Sequence, residues 1–145
     1  MMGLKGSSHG YGQLVYHFEW TPKYRYEMFR KPENAKLCEE VLREVARKWD
    51  IEIVELSVMP DHIHGIVGLR PTMPVSKAFN ILKGASAYAL FRRQPKFRLR
   101  YPRGHFWSKG KFYRTVGDTD LKTTVRYVRE QRERYQTTLT QYFVT

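Results

Sequence analysis

The chain has 145 residues, 26 Lys plus Arg against 14 Asp plus Glu, a formal charge of +12 and one cysteine, Cys38. This length suits one compact domain. A lone thiol excludes an internal disulfide, and no apolar run is long enough to span a bilayer, so no membrane partner is expected. The charge excess favours a polyanion, because each phosphate neutralised releases condensed counterions. Aromatic residues, 14% of the chain, suit stacking on unpaired bases.

Residues 1–12 are rich in Gly and Ser and lack the apolar core of a secretory signal. They are expected to be a flexible segment ahead of a domain over 13–136, with 137–145 as a tail. With the unpaired cysteine, this points to a reducing, cytoplasmic setting. Gln13 to Trp20 alternates, with Leu14, Tyr16, Phe18 and Trp20 on one side, and predicts a strand with one buried face. A basic, aromatic connection follows, Thr21 to Tyr26. Pro32 to Trp49 carries Leu37, Val41, Leu42, Val45 and Trp49 at helical spacing.

Ile51 to Val58 is rich in β-branched residues and predicts a second strand. Met59-Pro60-Asp61 turns the chain, and His62 to Leu69 returns as a third strand. Pro74 to Arg93 predicts a second helix, and Pro95 to Gly104 a basic loop. His105 to Val116 predicts a fourth strand, interrupted near Gly110. Asp118-Thr119-Asp120 resembles a cap for a final helix running to about Tyr135. This order, βαββαβ and then a helix, predicts an α+β, ferredoxin-like antiparallel sheet with helices on one face.

His62-Ile63-His64 is the sharpest local feature. Alternate residues of a strand share a face, so the two imidazoles point together and can bind one divalent ion. Asp61, beside them, is placed to orient one ring or to offer an oxygen. Two histidines are too few ligands for most sites. In the final helix, Tyr127 and Gln131 stand four apart on one face. A glutamine carbonyl suits magnesium or manganese, and a tyrosine one turn away could attack a phosphate held by the ion. From pattern alone, an incidental pairing stays open for both couples. Glu55 is a second choice of donor.

Met59-Pro60-Asp61-His62-Ile63-His64 resembles the HUH signature (histidine, hydrophobic, histidine) of the single-tyrosine transposases of small bacterial and archaeal insertion sequences, the insertion sequence 200/605 type. Tyr127-Val128-Arg129-Glu130-Gln131 is similar to that family's tyrosine and glutamine motif. Trp20 to Arg25 resembles its early segment, and Phe106-Trp107-Ser108 with Thr115-Val116-Gly117 its fourth-strand region. The likeness spans roughly residues 13 to 135. Lys109-Gly110-Lys111 is more basic than the pattern.

The resemblance implies that His62, His64 and Gln131 bind Mg2+ or Mn2+ and that Tyr127 attacks the scissile phosphate, leaving a 5′-phosphotyrosine and a free 3′-hydroxyl. It also implies a homodimer whose active sites are shared between subunits, acting on single-stranded DNA with hairpin ends. Candidate DNA contacts are Lys23, Arg25, Arg98, Arg100, Arg103, Lys109 and Lys111, with Tyr24 and Tyr101 as stacking partners. The alternatives are a host-domesticated nickase of the same chemistry and a non-catalytic ferredoxin-like nucleic-acid-binding module. A structural zinc site is disfavoured by the scarcity of thiolate ligands.

Overall fold

The computed structural model describes residues 14–144; the expected N-terminal segment over 1–12 lies outside them. Strands β1 (Leu14–Trp20), β2 (Glu52–Met59), β3 (His62–Leu69) and β4 (Phe112–Thr115) alternate with helices α1 (Pro32–Lys48) and α2 (Val75–Arg93), and helix α3 (Asp118–Val144) closes the order. All strand pairs are antiparallel, in the order β2-β3-β1-β4. The ferredoxin-like expectation holds: two helices cover one face, and a C-terminal helix carries Tyr127. No helix of the described residues is long and apolar enough to cross a membrane.

Local sequence accounts for the element ends. Pro32 opens α1 at a position where its missing N–H costs nothing. Past the end of α1, Asp50 takes the left-handed conformation at φ 58°, which stops the helix. Phe18, Trp20, Ile63, Val67 and Leu69 point to the face covered by α1 and α2, where they join Phe79, Leu82, Val41 and Leu42 in the main core. Phe18 stacks on Phe79 with ring centroids 3.9 Å apart.

Three expectations change. Strand β1 is buried on both faces, not one: Val15 and His17 are buried as well as Phe18 and Trp20. The reason is α3, which lies on the back of the sheet and closes a second, smaller cluster of Val15, Ile66, Val116, Leu121, Val125 and Val128. The fourth strand is shorter than His105 to Val116. Gly104 and His105 both have positive φ, and Phe106 and Trp107 sink into the core. Trp107 keeps one isolated bridge to Pro22, and the Ser108 and Gly110 carbonyls accept from Lys83 Nζ. Lastly, α3 runs to Val144, beyond Tyr135; no Gly or Pro follows Gly117, so nothing in the sequence stops it.

Candidate active site

The β2–β3 hairpin sets the first part of the site. Its register pairs Met59 with His62 and Ser57 with His64, while β1 places Glu19 opposite His64 and His17 opposite Ile66. Directly paired residues share a face, so His62, His64, His17 and Glu19 all lie on the α3 side of the sheet. The His62 and His64 rings are 4.7 Å apart between centroids and nearly perpendicular, at 82°.

Each imidazole is held at its Nδ1. His62 Nδ1 lies 2.8 Å from Asp61 Oδ1, and Asp61 Oδ2 accepts from Arg25 Nε at 2.9 Å. Burial alone would raise the Asp61 carboxyl, but the bonds to His62 and Arg25 outweigh it and hold the group below its usual range. His64 Nδ1 lies 3.0 Å from His17 Nε2 and 3.5 Å from Glu19 Oε1. Burial first, then the neighbouring His62 and His17, hold His64 down to about 4, against an opposing contribution from the nearby Gln131 amide. His64 is therefore neutral at pH 7, the form that can ligate a metal.

Helix α3 supplies the rest. Ser57 Oγ donates to the Val128 carbonyl at 2.5 Å, and Arg132 Nη1 donates to the Leu56 carbonyl at 2.9 Å. These bonds fix the helix over the hairpin. Tyr127 meets His64 edge to face, with ring centroids 6.2 Å apart. Gln131 Nε2 donates to the Tyr127 hydroxyl at 2.6 Å. The Gln131 Oε1 atom is buried without a hydrogen-bond partner. Tyr127 itself is 49% exposed, so an incoming strand can reach its oxygen.

The donor chemistry fits a hard divalent ion. Two imidazoles with Nδ1 engaged leave Nε2 as their free nitrogens, and the orphaned carbonyl of Gln131 is an oxygen donor lacking a partner. Sequence reasoning did not single out His17 and Glu19. Their ligand atoms and that of His64 all lie within 4.8 Å of one another. The signal was available: both occupy the polar side of the alternation in β1, two residues apart. Glu55, the second choice of donor, is instead a buried carboxylate paired with Arg129 at 3.1 Å and Arg132 at 3.8 Å.

The basic candidates divide. Lys23 and Arg25 lie on a 3-10 turn, where Tyr24 and Arg25 take positive φ, 61° and 53°. Arg100 stacks its guanidinium on Tyr26 at 4.2 Å, and Arg98 covers Phe91 at 4.5 Å. Arg25 and Arg100 share the lining of a cavity of about 750 Å³ with Arg30, Lys31 and Lys96. Arg103, Lys109 and Lys111 are exposed on the 101–111 segment. Tyr24 is exposed, at 67%, but Tyr101 is a correction: it is core, with its hydroxyl donating to the Lys23 carbonyl at 2.7 Å. It cannot stack on a base.

The family model described as "Transposase IS200 like" matches residues 11–131. The chain is 29% identical over 130 residues to the ISDra2 transposase TnpA of Deinococcus radiodurans, covering 90% of this chain and 91% of that protein. It is 30% identical over 129 residues to the transposase for insertion sequence element IS200 of Salmonella typhimurium, covering 89% and 84%. A crystal structure of a Deinococcus radiodurans R1 protein assigned as a transposase superposes with a TM-score of 0.67 at 30% identity, over 83% of this chain and 92% of that one. A REP-associated tyrosine transposase bound to a REP hairpin shares the fold, with a TM-score of 0.58 at 16% identity, over 79% and 64%.

Proposed function

Because the chain belongs to the IS200-like transposases, we propose that it cleaves and rejoins single-stranded DNA at hairpin-bearing insertion-sequence ends through a 5′-phosphotyrosine on Tyr127. One observation supports this above the others. Tyr127, the proposed nucleophile, lies between a buried, neutral His64 and the amide of Gln131. The nucleophile and the donors His62, His64 and Gln131 are thus linked by neighbouring contacts on the α3 face of the sheet.

His62, His64 and Gln131 would hold Mg2+ or Mn2+, which when bound polarises the scissile phosphate and offsets charge in the transition state. The protein's own groups do the rest. A phenol with a pKa near ~10 needs help to ionise at neutral pH. The Gln131 Nε2–H, already donating to the Tyr127 oxygen, stabilises the phenolate as it forms. The phenol proton passes to water, the phenolate oxygen bonds to phosphorus, and the 3′-oxygen leaves and takes a proton back from water. The 3′-hydroxyl of another strand then attacks the same phosphorus and releases Tyr127. Because the covalent link keeps the energy of the phosphodiester, joining needs no nucleotide cofactor.

Hairpin DNA as the partner is supported by the net charge, by the basic cavity near Arg25 and Arg100, and by the REP hairpin carried by the fold relative. We place Lys23, Arg25, Arg98, Arg100, Arg103, Lys109 and Lys111 on phosphates. The assembly proposed is a homodimer in which α3 is exchanged. Within one chain α3 closes on its own hairpin through a small apolar cluster separate from the main core, and an identical partner offers the same surface.

The test is incubation with hairpin-bearing single-stranded DNA and Mg2+ or Mn2+, followed by denaturing gels. Wild type forms a covalent protein–DNA species. Tyr127→Phe forms none, and His64→Ala loses cleavage while keeping most of its hairpin affinity. Binding without any adduct in wild type, under both metals, favours a plain binding module instead.

A further inference from the structure

Among the described residues, His17 is a buried polar group that the mechanism leaves unused. His17 is 5% exposed, lies on the central strand, and makes a single hydrogen bond, to His64 Nδ1 at 3.0 Å. Its own Nδ1 is buried without a partner. A buried polar atom left unsatisfied costs about 1–3 kcal/mol. A leucine of similar bulk would remove that cost, so packing alone does not explain a histidine here.

We propose that His17, with Glu19, is a positioning residue that keeps the His64 proton on Nδ1 and so presents Nε2 to the divalent ion. This rests on the metal site proposed above. An imidazole that ligates through Nε2 must carry its proton on Nδ1, and the partner at Nδ1 selects that form. His64 Nδ1 has two acceptors beside it, His17 Nε2 at 3.0 Å and Glu19 Oε1 at 3.5 Å. His62 has the matching device, Asp61 Oδ1 at 2.8 Å. The two metal-binding rings are thus locked by different elements: His62 by the hairpin turn, His64 by β1.

The same three residues, His17, Glu19 and His64, also form a compact donor cluster. An ion seated there would take His64 through Nδ1. Nε2 would then be left out of the coordination. The assignment as a positioner instead keeps Nε2 for the ion.

Mn2+ binding to the DNA-free protein, read by loss of the free-ion electron paramagnetic resonance signal, tests this without any reaction. His17→Leu is expected to weaken Mn2+ by about 10–100-fold, the usual effect of losing such a partner. His17→Gln, whose Oε1 replaces the Nε2 acceptor, is expected to stay within about threefold of wild type by the same reasoning. His62→Ala loses most of the binding. Unchanged affinity in His17→Leu overturns the inference. So does His17→Gln binding as weakly as His17→Leu, or His62→Ala binding as well as wild type, which puts the ion on His17. A second readout needs no variant: nitrogen-15 spectra of the Mg2+-loaded wild type should show His64 protonated at Nδ1, and protonation at Nε2 contradicts the proposal. If wild type takes up no ion at all, the metal reading itself falls, and the inference falls with it.

Discussion

At the residue scale, burial decides the protonation of the site. An unfolded histidine titrates near 6.5, whereas folded His64 is held down to about 4, mainly by burial. Above pH 6.5 both states are neutral and the stability is complete. As pH falls from 6.5 toward 4, the unfolded chain takes the proton first, so stability is lost across that window, on the order of 3 kcal/mol from this group. His17, held low by burial and by Arg114, adds in the same direction. Urea midpoints of the metal-free protein should therefore drop steeply between pH 6.5 and 4.5, and less steeply in His64→Ala. An equal pH slope in both proteins contradicts the buried, neutral assignment. Strand and helix periodicity put His62 with His64, and Tyr127 with Gln131, on one face each, and the structure shows each pair in contact; it was the family resemblance, not the pattern, that singled them out as a candidate site. His17 was not singled out: the alternation in β1 shows only that it shares a face with Glu19, and its contact with His64, 47 residues away, depends on the β1–β3 register.

At the scale of the elements, α3 is the part that local reading described least well. Periodicity and a cap signal located its start, but the far end was set too early. Its packing on the back of the sheet was missed, since β1 reads as amphipathic and conceals that His17 and Val15 are covered. The fourth strand shows the converse. Its aromatic residues look like strand residues, yet Phe106 and Trp107 are drawn into the core by Phe29, Phe97 and Ser86. The docking of α3 rests on the Ser57 to Val128 bond and the small apolar cluster. Ser57→Ala should cost about 1 kcal/mol. Val128→Ala should cost about 2 kcal/mol through the cavity it opens. Both should reduce adduct formation more than hairpin affinity, as measured by chemical melts and gel shifts. Wild-type stability and cleavage in Val128→Ala would show that α3 docks elsewhere.

At the scale of the whole molecule, the chain is a basic α+β platform whose candidate site lies on the α3 face of the sheet. The βαββαβ order was legible because strand and helix periods differ and the turn residues fall between them. Assembly was not, since a helix that closes its own site and one that closes a partner's make the same contacts. Exchange of α3 predicts that mixing Tyr127→Phe with His64→Ala subunits restores part of the activity, because one site of each mixed dimer is then intact. Verified mixed dimers that stay inactive contradict the exchange and leave the site within one chain.

The central claim is that the phenol oxygen of Tyr127 takes the phosphate. The most direct measurement traps the covalent species on a hairpin oligonucleotide with Mn2+, digests it, and maps the nucleotide by mass spectrometry. The account predicts a 5′-linked nucleotide on the peptide containing Tyr127. A nucleotide on any other side chain contradicts it.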